Sequence, residues 1–188
     1  MRNLAVEKRL ETSRLLLRRS RLSDGEAFLR IRNSPYVLRY NPMDPITLEK
    51  ALEQLAEDRD SSRAFYLEER ATKKLVGVVY LAEDSLRYGV PSVTLEYFLG
   101  EEFAGRGLMT EALGALLEYA FFIVGAEVVS ARVFLDNKGS QRVLEKLGFT
   151  RNGVLRQAVK GREGTVYDDV AFSLLKEEFL QRREESQT

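Results

Sequence analysis

Two stretches of this chain combine residue types and spacings that could do chemistry. The first, Gly100-Glu101-Glu102-Phe103-Ala104-Gly105-Arg106-Gly107-Leu108-Met109-Thr110, lies between a predicted strand and a strongly apolar helical pattern. Glycines let a backbone approach a ligand closely, and successive free N–H groups at a helix N-terminus bind phosphate. Arg106 and the Thr110 hydroxyl could add charged and neutral donors. Gly100 to Gly107 has Walker-loop spacing, but Arg106 and Gly107 stand where Lys and Ser or Thr are required, which argues against nucleoside triphosphate hydrolysis. Gly105, Gly107 and Thr110 almost spell the dinucleotide fingerprint, yet the third glycine is missing. A plain strand–helix turn with glycines chosen for shape is the alternative. The second stretch runs from Asp136 to Phe149. Asn137 caps a predicted helix there, Ser140 lies in its first turn, and Gly148 stands at its C-cap.

Composition narrows the chemistry further. The chain has no His, Cys or Trp. A Ser-His-Asp triad, a Cys-His pair, a thiolate metal site and a disulfide framework are all excluded. No Asp-rich loop of EF-hand spacing appears, and no metal is expected. The 29 Lys and Arg cancel the 29 Asp and Glu, which argues against a nucleic-acid or membrane-surface partner. Any enzyme built here works with carboxylates, hydroxyls, backbone amides or a cofactor.

The elements that must position these residues follow from periodicity. Period-two and apolar runs predict strands at Arg14–Arg19, Ala64–Glu68, Leu75–Ala82, Ser92–Leu99, Glu127–Phe134, near Phe149–Leu155, and at Val166–Leu175. Helices are predicted at Ser23–Asn33, with Ser23 and Glu26 as a capping box, and at Thr47–Asp60. Further helices are expected at Gly107–Val124 and Gly139–Leu147. Asn33-Ser34-Pro35 and Asn41 to Pro45 read as breakers bounding a loop, and Gln181–Thr188 as a frayed tail. A meander followed by βαβ units predicts an α/β protein, a mixed sheet with helices on both faces. The 188 residues fit a single domain with a core from roughly residue 10 to 180. Met1–Glu11 lacks the apolar core of a secretory signal, and every apolar run is far short of the ~20 residues that span a membrane, so a cytoplasmic location is expected.

The segment Phe103 to Ala112 resembles the acetyl-CoA pyrophosphate loop of the GNAT superfamily of N-acetyltransferases, in the style of its ribosomal-protein alanine branch. Asp136 to Phe149 resembles the family's N-x-x-S stretch, which ends in Gly-Phe. Leu10 to Arg18, Lys74 to Val79 and Tyr167 to Leu174 resemble its first, third and closing strands, so the matches run in order along nearly the whole chain. The resemblance implies the acyl-CoA N-acyltransferase fold, a central, mostly antiparallel sheet with a splayed strand pair and flanking helices. It further implies acetyl-CoA as acyl-donor co-substrate, held by Phe98, Leu99, Ala104, Gly105, Arg106, Gly107, Leu108, Met109, Thr110, Asn137 and Ser140. Arg142 is a further candidate for a phosphate, and Glu102 departs from the Gln or Arg of many relatives.

Direct transfer to an amine needs a placed thioester, a neutral amine, a stabilised oxyanion and a protonated leaving thiolate. Glu96 is the candidate base; Ser140 is the candidate acid, with Tyr97 as its alternative. The backbone N–H of Phe98 or Leu99 is the expected oxyanion donor, and Asp168 or Asp169 the candidate ligand for the acceptor ammonium. The segment Ser23–Asp60, with Tyr36, Tyr40 and Met43, is the expected acceptor wall. The acceptor is a peptide N-terminal amine or a small-molecule amine, a catalytically silent acyl-CoA-binding module is the rival reading, and a homodimer is left open.

Overall fold

The computed structural model describes residues 9–185. In chain order these form β1 (Leu10–Glu11), β2 (Leu15–Arg18), α1 (Gly25–Arg32), α2 (Pro35–Leu38), α3 (Leu48–Asp60), β3 (Ala64–Glu69), β4 (Leu75–Glu83) and β5 (Ser92–Leu99). They continue with α4 (Leu108–Glu118), a π-helical turn (Tyr119–Val124), β6 (Val128–Phe134), α5 (Lys138–Lys146), β7 (Thr150–Lys160), β8 (Val166–Leu175) and α6 (Lys176–Glu185). One sheet of eight strands has the order β1-β2-β3-β4-β5-β6-β8-β7. All its pairings are antiparallel except β5 with β6, which α4 joins as a crossover. This is the mixed α/β sheet expected from the sequence.

Helices cover both faces, so the central strands are buried on both sides. In β3, Phe65 and Leu67 enter the core beneath α4, while Ala64 and Tyr66 enter a second core under α1 and α3. In α4, Leu108, Met109, Ala112, Leu113, Leu116 and Leu117 repeat at three and four and are all buried. This helix forms because one apolar stripe spans its whole length.

The sheet is broken at one place. The parallel register of β5 and β6 starts at Ser92 and Val128 and stops at Leu95 and Ala131. Beyond that point β5 stays paired to β4 as far as Leu99, and β6 stays paired to β8 as far as Phe134. The two strands therefore splay. The loop into α4 and the start of α5 both arrive at the opening.

Several elements differ from expectation. Pro35 starts helix α2 instead of breaking the chain, because proline suits a first helical position and Ser34 caps it by accepting the Val37 N–H at 3.2 Å. Ser23 and Glu26 form no capping box; a 3₁₀ turn precedes α1, and Asp24 accepts the Arg21 N–H at 2.8 Å. The expected long helix becomes α4 plus a π turn, which seats Tyr119 against Phe65 at 5.2 Å and Phe121 against Phe179 at 5.1 Å. Strand β7 runs past Leu155 to Lys160 through a bulge where Gln157 takes φ +52°. Residues 181–185 of the expected frayed tail are helical, and 186–188 lie outside the described residues, as does most of the N-terminal segment read for a leader. No described helix is long and apolar enough to cross a membrane.

Candidate active site

Two cavities meet at the opening between β5 and β6. The first, of about 360 Å³, runs along the end of β5, the loop and the face of α5. Gly105 and Gly107 adopt φ +72° and +76°, left-handed values that bend the loop so that Gly107 caps α4 without a side chain. The first N–H groups of α4, which have no partner within the helix, open onto this cavity. Phe98, Leu99, Ala104, Gly105, Gly107, Leu108, Met109 and Thr110 line it, as do Asn137, Ser140 and Arg142. The site has the form of a channel for a phosphorylated ligand with an extended arm.

The edge of β5 offers backbone donors along this channel. The Gly100 N–H donates to the Val76 carbonyl at 2.8 Å, and the Glu127 N–H donates to the Pro91 carbonyl at 2.7 Å. These two bonds fix the phase of the strand: even-numbered residues bond to β4, and odd-numbered ones turn towards β6. Past Leu95, where β6 has diverged, the amides of Tyr97 and Leu99 are left facing the opening. Of the two expected oxyanion donors, Leu99 is presented to the opening; Phe98 points its N–H into the ladder with Val78.

The second cavity, of about 500 Å³, lies on the other side of the opening. Tyr97, Asn137 and Ser140 line both cavities, together with Tyr40 and Asn41. The Tyr97 and Ser140 hydroxyls share a hydrogen bond of 2.6 Å at this junction. Burial pushes the Tyr97 phenol up to about 12, against the pull of the Ser140 bond, so it is a protonated donor at neutral pH. Asn137 accepts the Ser140 N–H at 3.1 Å and thereby fixes the turn that presents the serine. Glu96 is exposed and borders the second cavity beside Tyr97. Asp169 also lines it, buried and ion-paired to Arg132 at 2.9 Å. Burial raises the Asp169 carboxyl, and Arg132 opposes that rise.

Residues 14–150 match the acetyltransferase (GNAT) domain family. The chain belongs to the GNAT acetyltransferases. It is 31% identical over 179 residues to the uncharacterized N-acetyltransferase YoaA of Bacillus subtilis (strain 168), covering 89% of this chain and 96% of that one. Its fold is similar to that of a GNAT-family acetyltransferase from Bacillus anthracis, with TM-score 0.82 and 22% identity over 90% of this chain and 99% of that one. It is likewise similar to the fold of the ribosomal-protein-S5-alanine acetyltransferase of Vibrio fischeri, with TM-score 0.76 and 22% identity over 91% and 98%. The protein is thus an acetyl-CoA-dependent N-acetyltransferase of GNAT type.

This GNAT chain departs from its sequence reading at Arg106 and Asp168. The Arg106 guanidinium does not line the channel; it bonds to the Glu69 carboxylate on β3 at 2.5 Å, because that acid is buried and needs a partner. Hydrogen bonds from Thr72 and then Arg106 hold the Glu69 carboxyl below its usual range. Glu102 lies outside the channel lining as well, on the turn Glu101–Phe103. Asp168 is not in the site: its Oδ1 accepts the Gln157 N–H at 2.7 Å and supports the bulge of β7. Lys146, which sequence reasoning missed, lines the channel four residues after Arg142 on the same helical face.

The GNAT loop also has a support that the motif alone did not reveal. Glu111 accepts hydrogen bonds from the Thr12 hydroxyl at 2.6 Å, the Ser13 hydroxyl at 3.1 Å, the Arg14 N–H at 2.8 Å and Arg14 Nε at 2.6 Å. Arg14 Nη1 then donates to the Arg106 carbonyl at 2.8 Å. Burial would raise the Glu111 carboxyl, but these bonds hold it at about 2. The turn before β2 is thus tied to the glycine loop at Arg106 and to the first turn of α4 at Glu111.

Proposed function

We propose that the enzyme moves the acetyl group of acetyl-CoA directly to a primary amine while both substrates are bound. One observation carries this reading: a donor channel and an acceptor cavity meet at a pair of bonded hydroxyls beside an unpaired strand edge. The α4 N-terminus, Arg142 and Lys146 hold the phosphates. The free amide of Tyr97 holds the arm and places the thioester, and the Leu99 N–H stabilises the oxyanion. The amine nitrogen enters from the acceptor cavity and forms the new C–N bond while Glu96 takes its proton. The C–S bond then breaks, and the Tyr97–Ser140 pair returns a proton to the thiolate. An α-amino group with pKa near ~8 is already partly neutral at physiological pH, so a mild base suffices without histidine.

The ribosomal-protein style of the loop keeps a protein N-terminal amine among the acceptors. Release of free thiol from acetyl-CoA, followed against a panel of amines and of Ala- or Ser-starting peptides, tests the reading. Turnover with any of them supports transfer. Binding of acetyl-CoA with no release from any amine would replace the enzyme with a silent acyl-CoA-binding module, and no binding at all would remove both.

A further inference from the structure

The acceptor cavity carries more negative charge than one amine requires. Among the described residues, Glu83, Asp84, Glu96 and Asp169 border it against a single cation, Arg132. Asp84 is satisfied: it accepts the Leu86 N–H at 2.9 Å, Arg87 at 2.9 Å and the Ser130 hydroxyl at 2.8 Å. Asp169 is not. The residue is 3% exposed, its Oδ2 takes Arg132, and its Oδ1 is buried with no hydrogen-bond partner among the described residues. A buried carboxylate oxygen without a donor is costly, and such groups in folded proteins ordinarily meet a partner.

The surroundings of that oxygen suit a cation. Val170 and Phe172 of β8 and Val133 of β6 enter the core beneath α4, so Asp169 and Phe134 face the other side of the sheet. Leu95 and Tyr97 likewise pack on the α4 core, which puts Glu96 on that same side, across the opening. Asp169 and Phe134 are register partners, and Phe134 stacks on Tyr167 at 4.9 Å and meets the edge of Tyr40 at 6.4 Å. An aromatic ring on the register partner of a carboxylate with an unpaired oxygen is the kind of surroundings that suits an ammonium group. A volume of about 500 Å³ fits a small organic molecule.

Resting on the acetyltransferase reading, we propose that the acceptor is an aliphatic diamine or longer polyamine with two cationic nitrogens. One nitrogen, an aliphatic amine with pKa ~10 that therefore needs the base more than an α-amino group does, gives its proton to Glu96 and is acetylated beside Tyr97 and Ser140. The other stays protonated and donates to Asp169 Oδ1 against the Phe134 ring. A peptide whose second residue is lysine offers the same ammonium chemistry, and the experiment separates the two sources.

The test is steady-state thiol release with acetyl-CoA and three acceptors: 1,4-diaminobutane, n-butylamine, and a short peptide beginning Ala-Lys. The expected kcat/KM for the diamine exceeds that for butylamine by about 10-fold or more, the size of one charged hydrogen bond. Asp169→Asn keeps a bond to Arg132 and should collapse that ratio towards one through the diamine KM. Acetyl-CoA affinity by calorimetry reports whether the variant is folded. Should it fail to fold, Phe134→Leu gives the second measurement, with the same ratio expected to fall. Equal kcat/KM for the two amines in the unmodified enzyme would overturn the proposal while leaving acetyl transfer intact. A peptide preferred over the diamine would overturn it in favour of a basic N-terminus. Thiol release with none of them, although acetyl-CoA binds, would overturn the diamine proposal, and release with another amine of the wider panel would leave the acetyltransferase reading beneath it standing.

Discussion

Replacing Glu111 by Gln tests whether the first turn of the chain stiffens the glycine loop. The carboxylate collects four donors from residues 12–14, and its carboxyl sits at about 2 against an ordinary 4.5. By linkage that depression corresponds to ~3 kcal/mol. The Arg14 side chain is 46% exposed while Glu111 is 17% exposed, so water screens part of the interaction, and about 1–2 kcal/mol is expected to survive. The sign is set by the direction of the depression: the stabilisation is complete above pH ~4.5 and disappears as pH falls towards ~2. Urea unfolding followed by circular dichroism should give Glu111→Gln a deficit of about 1–2 kcal/mol at pH 7, a loss of roughly 2–8 °C in Tm. That gap should narrow steadily below pH ~4.5. Acetyl-CoA affinity should fall with it, because Arg14 loses its anchor and releases the Arg106 carbonyl. An unchanged Tm at neutral pH, or a deficit constant from pH 7 to pH 3, would refute the reasoning.

Tyr97→Phe should cut kcat by about 100-fold with little change in the KM for acetyl-CoA, and Ser140→Ala should add little further loss in the double variant, since the two act as one proton donor; additive losses in steady-state rates would separate them. Glu96→Gln should lower the rate and move its pH profile to the alkaline side, where the acceptor is neutral without help; an unchanged profile removes Glu96 from proton transfer. Gly107→Ala meets only the Arg14 guanidinium at 3.6 Å, so its cost is conformational, about 1–2 kcal/mol for a left-handed residue, read as a lower Tm and weaker acetyl-CoA binding. The double variant Arg142→Ala with Lys146→Ala should weaken acetyl-CoA about 10-fold or more at low salt in calorimetric titration, with a smaller difference at high salt.

The strands and the residues that line the first cavity were legible because they are written locally. Alternation in β5 and the three-four repeat of α4 each lie within one short window, and the glycine turn lies between them. The sequence failed where a partner is distant. Arg106 occupies the motif position expected for a phosphate ligand, but its direction is decided by Glu69, 37 residues earlier on another strand. Helix α6 has a run of charges and only Phe179 and Leu180 as large apolar residues, so no stripe announced it; the contact of Phe179 with Phe121 holds it. Asp168 and Asp169 are adjacent, and alternation already placed them on opposite faces; which face held the cavity depended on the register with β6. Lys146 was readable from its four-residue spacing to Arg142, once α5 was known to present that face to the channel.

The break between β5 and β6 makes this sheet a pair of leaves joined along one short seam. One leaf holds β1 to β5 and carries the glycine turn; the other holds β6, β8 and β7 and carries Arg132 and Asp169. The seam is four register pairs long, from Ser92 with Val128 to Leu95 with Ala131. Tyr97 belongs to both cavities and stands just beyond the seam, so any change in the angle between the leaves would reach both cavities at once. On the proposed direct transfer, the two substrates would then be linked twice, through the bond that forms between them and through the seam that sets the width of both pockets.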